Sequence, residues 1–239
     1  MDGRERLRQW VEESDHIVFF GGAGVSTESG VPDFRSVDGL YHQQYEFPPE
    51  TILSHTFFVR QTEEFYRFYQ NKMLFPNAKP NKAHRALAKL ERQGKLKTVI
   101  TQNIDGLHQA AGSREVLELH GSVLRNYCSR CGKFYDLPYV MAAKGTPCCE
   151  DCGGVVKPDV VLYEESLDND VLSRSVAHIR QADMLIVGGT SLTVYPAAGL
   201  IDYYRGHKLV LINKSATAKD AVADLVITEP IGEALGIFL

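Results

Sequence analysis

"HIVFFGGAGVSTESG" (16–30) sets the pattern on which the rest of the chain is built. Its first part, "HIVFF" (16–20), is a short apolar run that stops abruptly at "GGAG", which reads as a buried strand entering a glycine loop. The same grammar recurs along the chain. "NKAHRALAKLERQG" (81–94) has the spacing of an amphipathic helix, with Asn81 able to cap it and Gly94 able to end it, and it leads into the strand "KTVIT" (97–101). "DNDVLSRSVAHIRQA" (168–182) reads as a helix leading into "MLIVGG" (184–189). "PAAGLIDYY" (196–204) leads in the same way into "KLVLIN" (208–213), and "DLVI" (224–227) is a last short strand. At the start of the chain, Leu7, Trp10 and Val11 follow helical spacing. Short apolar strands alternating with helices imply an α/β fold, a parallel sheet covered on both faces.

Two stretches break the rhythm. Residues 36–80, with "FFVRQTEEFYRFY", read as helical with no strand following, and residues 121–157 carry cysteines and turn formers. The expected organisation is a discontinuous Rossmann-like domain (1–35, 81–120 and 158–239) and a smaller domain. The latter is made of a helical insertion (36–80) and a metal-binding module (121–157).

Size and charge bound the function. The chain has 239 residues, 44% hydrophobic and 23% charged, the composition of a globular protein with a sizeable core. A formal charge of −4 gives no electrostatic case for nucleic acid. The opening "MDGRERLRQWVEESD" lacks the apolar core of a signal peptide, and no apolar run reaches the ~18 residues of a membrane span. All five cysteines fall between 128 and 152, which suits a reducing compartment with a local metal site better than dispersed disulfides. The expected address is the cytoplasm, with no membrane and no direct nucleic-acid partner.

In an open parallel sheet, ligands bind beyond the carboxyl ends of the strands. Those ends carry "GGAGVSTESG" after 17–20, "QNID" after 97–101, "HG" after 116–119, "GGTSL" after 184–187 and Asn213 after 208–212. Five strand ends thus deliver glycine, amide, hydroxyl, carboxylate and imidazole to one edge, which points to a shared cleft. Gly22-x-Gly24 allows close approach of a pyrophosphate at a helix N-terminus, although glycine after a strand is more often just a tight turn. Thr27 stands where the dehydrogenase fingerprint has its third glycine, and no second strand ends in an acidic residue, so hydride transfer is disfavoured.

Cys128-x-x-Cys131 and Cys149-x-x-Cys152, 17 residues apart, have the spacing of a four-thiolate zinc site. Free buried cysteines or a redox pair are the alternative. Cys148 is left over, and Cys149 is preferred because matched Cys-x-x-Cys turns let backbone amides stabilise both thiolates. Four thiolates close the coordination sphere, which makes the zinc structural. With zinc supplied, His120 is either a structural histidine at a strand end or a general base near Asn103 and Asp105.

Together these motifs resemble the sirtuins, the NAD-dependent protein deacylases, and are most similar to the family's bacterial deacetylases. The matching pieces are "GAGVSTESGVPDFRS" (22–36), "TQNIDGLHQAAG" (101–112), "LELHGS" (117–122), the paired Cys-x-x-Cys, "KPDVVLYEE" (157–165), "GTSLTVYPAA" (189–198) and "LIN" (211–213), in family order over nearly the whole chain. The resemblance implies that Gly22, Ala23, Gly24 and Thr27 hold the pyrophosphate and ribose of NAD. It sets Phe34 and Arg35 over the nicotinamide ribose, Gln102 against that ribose, and Asn103, Ile104 and Asp105 around the nicotinamide. Gly189, Thr190, Ser191 and Asn213 fall on the adenosine half, with Ile231 as an added adenine contact. His120 matches the catalytic base, with Asn103 beside it as a catalytic residue. Val160, Val161, Leu162 and Tyr163 match the strand that pairs with an acetylated protein or peptide.

The implied reaction consumes NAD as an electrophile. The acetyl oxygen captures C1′ as nicotinamide leaves, and His120 removes a ribose proton, giving free lysine, nicotinamide and O-acetyl-ADP-ribose. Two departures bear on selectivity. Tyr163-Glu164-Glu165 stands where the family often has Phe-Gly-Glu, and Tyr66-x-x-Tyr69 stands where members that remove acidic acyl groups have Tyr-x-x-Arg, so deacetylation is expected over desuccinylation. Packing among Phe58, Phe65 and Val160 sets the reach toward longer acyl chains. The rival readings are a protein ADP-ribosyltransferase, a non-catalytic NAD sensor and a zinc-ribbon nucleic-acid binder.

Overall fold

The computed structural model describes residues 2–33 and 47–239. The first half of the chain forms α1 (Gly3–Glu13), β1 (Ile17–Gly21), α2 (Pro49–Ile52), α3 (His55–Arg60), α4 (Thr62–Lys72), α5 (Lys82–Arg92), β2 (Leu96–Thr101), α6 (Leu107–Ala110) and β3 (Val116–Glu118). There follow β4 (Gly121–Cys128), β5 (Phe134–Asp136), α7 (Leu137–Ala142), β6 (Val156–Val160), α8 (Asn169–Gln181), β7 (Met184–Gly188), β8 (Leu209–Ile212), β9 (Leu225–Ile227) and α9 (Ile231–Leu235).

The large sheet has the order β3-β2-β1-β7-β8-β9 with every pair parallel. The chain works outward from β1 through β2 to β3, then returns to the other side of β1 with β7, so the topological switch point lies between β1 and β7. All five residues of β1 and of β7 are buried, which is why these strands read as continuous apolar runs. Alternation still sorts them by face. Ile17 and Phe19 enter a core with Leu7, Leu87, Leu90 and Leu235 from α1, α5 and α9, while Val18 and Phe20 enter a second core with Ile179 of α8 and Ile201.

The capping signals act as read. Asn81 accepts from the amides of Ala83 and His84 at the start of α5, and Gly94 follows the helix at φ 75°. Asp168 likewise caps α8 through the amides of Asp170 and Val171. The stretch expected as a helix at 196–204 forms a 3-10 helix over Ala197–Tyr203 instead. It buries Ala197, Ala198, Leu200 and Ile201 on one face against the sheet.

The smaller domain is built on an antiparallel sheet of order β5-β4-β6. Phe57, Phe58, Phe65, Tyr66 and Tyr69 of α3 and α4 pack against it, in one core with Val123, Val140, Val156 and Val160. The boundary expected between 157 and 158 falls inside β6, which stays hydrogen-bonded to β4 up to Val160. Pro158 within this strand is tolerated because β6 is a sheet edge. The chain crosses between the sheets at His120-Gly121. Gly121 has φ 74°, and a Cβ there would lie 1.9 Å from the carbonyl oxygen of Asp159, so the crossing admits only glycine. Arg125 straddles the crossing, 2.8 Å from both Glu118 and Asp159.

Candidate active site and metal centre

The strand ends of the large sheet are wired to one another by Gln102, the first residue after β2. Its amide donates to Gly21 O at the end of β1 (2.9 Å), its side-chain Nε2 to Thr190 Oγ1 beyond β7 (3.0 Å), and its carbonyl faces His120 Nδ1 beyond β3 (2.9 Å). Thr190 extends the chain of bonds to β8, since its amide donates to Asn213 Oδ1 at 2.9 Å. His120, Gln102, Thr190 and Asn213 thus form one hydrogen-bonded line across the carboxyl edge, spanning the switch point.

The carbonyl of Gln102 can only accept, so His120 Nδ1 carries the hydrogen and the neutral ring keeps its lone pair on Nε2. Burial pushes the imidazole below its ordinary pKa, partly opposed by the Gln102 carbonyl. The backbone carbonyl of His120 accepts from Val161 N at 3.0 Å, so the residue is held from both domains.

Gly22 and Gly24 serve first to let two loops interlock. Gly24 N donates to Gly189 O at 2.8 Å, a Cβ on Gly24 would meet Gly189 Cα at 2.8 Å, and one on Gly22 would meet Thr190 at 2.8 Å. Gly189 reciprocates with φ 60°, where a Cβ would lie 2.3 Å from Val25 N. The loop then enters two 3-10 turns, Ala23–Val25 and Thr27–Ser29, and not the α-helix whose N-terminus was expected to face a pyrophosphate. Thr27 folds its hydroxyl back onto Gly24 O at 3.0 Å.

Sequence reasoning passed over Ser26. It is fully buried, donates to Asp105 Oδ2 at 2.6 Å and accepts from Asn103 Nδ2 at 3.1 Å, joining the loop after β1 to the one after β2. Leu107 N supplies Asp105 Oδ1 at 2.9 Å. Burial raises the Asp105 pKa, with the Ser26 hydroxyl and the Leu107 amide working against it. The available signal was the carboxylate of "QNID" at one strand end and a serine two residues beyond Gly-x-Gly at the neighbouring one.

The other expected positions divide. Ile104 packs at the rim of the small-domain core and accepts from Val123 N at 2.9 Å. The Ser191 hydroxyl pairs with Thr193 Oγ1 at 2.8 Å on the exposed side of its loop. Ile231 is spent in the core, its side chain close against Gly188. Phe34 and Arg35 lie outside the described residues. Along 160–163, three amides already have partners: Val161 N on His120 O, Leu162 N on Glu165 Oε2, and Tyr163 N on Leu53 O. Tyr66 and Tyr69 are fully buried, with the Tyr66 hydroxyl bonded to Val156 O.

In the small domain the four sulfurs of Cys128, Cys131, Cys149 and Cys152 lie within 4.8 Å of one another, with Cys128–Cys152 at 3.4 Å and Cys131–Cys149 at 3.6 Å. A tetrahedral zinc about 2.3 Å from each sulfur would separate them by about 3.8 Å, so the cluster fits a structural zinc. The amides of Arg130 and Cys131 point at Cys128 Sγ (3.4 and 3.5 Å), and the Tyr135 hydroxyl donates to Cys149 Sγ at 3.2 Å, which lowers the Cys149 thiol to about 6. Cys148 is exposed, its sulfur turned to Thr146 O, and takes no part.

The Sir2 family model matches residues 22–196. A curated relative from Clostridium acetobutylicum, an NAD-dependent protein deacetylase, is 62% identical over 238 residues, covering 98% of this chain and 97% of its own. One of the same name from Staphylococcus aureus is 46% identical over 225 residues, covering 93% and 92%. Among solved structures, a Sir2 complex with a p53 peptide and NAD+ aligns with a TM-score of 0.85 at 41% identity, over 98% of this chain and 96% of that one. A Sir2 complex with a deacetylated p53 peptide and 3′-O-acetyl-ADP-ribose aligns at 0.90 and 40%, over 99% and 97%. With fold, strand-end chemistry, zinc cluster and these matches in agreement, the chain belongs to the Sir2 family.

Proposed function

We propose that this chain removes acetyl groups from lysine side chains of proteins at the expense of NAD, releasing deacetylated lysine, nicotinamide and O-acetyl-ADP-ribose. The observation that carries the assignment of its base is the 2.9 Å pairing of His120 Nδ1 with the Gln102 carbonyl, which leaves Nε2 as a proton acceptor on an edge built from five strand ends.

The residues present fit NAD. Asn213 Nδ2 is buried without a partner among the described residues, an unsatisfied donor that a bound ligand would complete. Asn103, Ser26 and Asp105 offer amide, hydroxyl and carboxylate together at the next strand end. When bound, NAD supplies a glycosidic bond whose cleavage makes its ribose carbon available to the acetyl oxygen. In the proposed division of labour, Gly22, Ala23, Gly24 and Thr27 hold the phosphate and ribose portion. Gly189, Thr190, Ser191 and Asn213 hold the adenosine portion, with Ile231 as an added adenine contact. Gln102 orients the ribose near His120, Asn103, Ile104 and Asp105 enclose the nicotinamide, and His120 takes a ribose proton on Nε2. Phe34 and Arg35 complete the nicotinamide side, and segment 160–163 carries the peptide.

Acetyl is the proposed acyl group. The Tyr66 hydroxyl is committed to Val156 O and Tyr69 is fully buried, so this pair offers no cation for an acidic acyl chain. Among the described residues no helix is long and apolar enough to cross a membrane, and a cytoplasmic address accords with thiols gathered at a single metal site.

The test is mass spectrometry of one peptide carrying acetyl-lysine or succinyl-lysine, incubated with and without NAD. Loss of acetyl only with NAD, with O-acetyl-ADP-ribose appearing and succinyl removed at least about tenfold more slowly, supports the reading. ADP-ribose appearing on protein, with acetyl intact, replaces it by ADP-ribosyl transfer.

A further inference from the structure

Segment 160–163 ends in a four-residue turn. Glu165 N donates to Leu162 O at 3.0 Å, and Glu164, third in the turn, has φ 74°. A turn with positive φ at that position calls for glycine, because a Cβ crowds the backbone there. Here the residue is a glutamate, and its side chain supplies the compensation. Glu164 Oε2 accepts from Thr56 N at 2.8 Å, one of the first-turn donors of α3 that has no partner within the helix. The Thr56 hydroxyl and amide hold the Glu164 carboxylate below its usual range, so it is ionised at neutral pH.

The turn and the helix start are joined at further points. Tyr163 bridges to Ser54, with Tyr163 N on Leu53 O and His55 N on Tyr163 O, both at 3.0 Å. Ser54 Oγ caps α3 through Phe57 N at 3.2 Å. The Glu165 carboxylate gathers Leu162 N at 2.9 Å, His55 Nδ1 at 2.9 Å and Lys157 Nζ at 3.1 Å. The start of α3 therefore forms the far wall against which residues 160–163 are set, and Glu164 is the link that must also overcome an unfavourable backbone angle.

We infer that Glu164 is a positioning residue for the peptide-binding segment: its carboxylate on the Thr56 amide does the work that glycine's conformational freedom would otherwise do, fixing residues 160–163 against α3. This rests on the proposed reading that the segment receives the peptide.

Substitution separates carboxylate from backbone. Glu164→Ala keeps the strained angle and loses the anchor. Glu164→Gln keeps an acceptor oxygen, and Glu164→Gly removes the strain. With the holoprotein, the expected result is a peptide KM raised about tenfold in Glu164→Ala, with NAD KM and kcat within about twofold of wild type, and recovery to within about threefold in Glu164→Gln and Glu164→Gly. Amide hydrogen exchange at His55, Thr56, Tyr163 and Glu165 should accelerate in the alanine variant and return toward wild type in the other two.

An active wild type with all three variants indistinguishable, or with glycine impaired as much as alanine, overturns the role of Glu164 alone. A wild type inert on acetyl peptides refutes the functional reading, and the peptide role with it.

Discussion

The Nδ1 of His120 lies 2.9 Å from the backbone carbonyl of Gln102, the residue whose side chain also reaches Thr190. One residue at the end of β2 thereby fixes the tautomer of the proposed base and ties it to the opposite half of the sheet. Because burial lowers the pKa of His120, its neutral form persists to lower pH than an ordinary histidine near 6.5. Proton acceptance needs the neutral ring, so kcat/KM should stay level from pH 8 downward and its acid limb should fall below pH 6.5. A limb centred above 6.5 would contradict this.

Asn213 offers a buried donor with no partner among the described residues while its Oδ1 holds Thr190 N. Asn213→Ala should raise the KM for NAD about tenfold, the scale of one buried hydrogen bond, with the peptide KM little changed. Steady-state titration of each substrate separates the two.

The zinc cluster makes an asymmetric prediction about neighbouring cysteines. Cys149→Ser should lose the metal and unfold the small domain, since binding energy of a structural zinc is folding energy on the order of 10 kcal/mol. Cys148→Ser should retain one zinc per chain, because the Cys148 sulfur faces Thr146 O and solvent. Metal analysis with circular dichroism checks both.

His84 and His108 are buried face to edge, 4.7 Å between ring centroids. Burial lowers His84 to about 4 and drives His108 well below its ordinary value, the latter with added repulsion from His84. Folded pKa values lie below the unfolded value near 6.5, so the unfolded chain binds more protons on acidification. Stability is complete above that value and is lost as pH falls toward 4. His84 alone should cost about 2 kcal/mol between pH 7 and pH 5. His84→Gln, which keeps the capping-box acceptor for Asn81 N, should flatten the slope measured by urea unfolding.

The parallel sheet was legible because β1 and β7 are buried on both faces, leaving uninterrupted apolar runs with glycine at their ends. The four-cysteine cluster was legible from spacing alone, with Cys149 chosen over Cys148 from the matched turns. What the sequence hid depended on contacts between distant segments. Gly22 and Gly24 look like a phosphate loop, yet their immediate neighbours are Gly189 and Thr190. Ser26 acquires its place only when β1 and β2 bring it to Asp105. The domain boundary set at 157 and 158 cuts β6, whose pairing with β4 is visible only once the two segments meet.

The measurement that bears most directly on the account is the product spectrum of His120→Ala beside wild type, on one acetyl-lysine peptide with NAD, with NAD affinity measured in parallel. The variant should bind NAD within about threefold of wild type while deacetylation falls at least about a hundredfold, the contribution of a positioned base. Deacetylation at the wild-type rate in the variant would contradict it and return His120 to a structural role at the crossing between the two sheets.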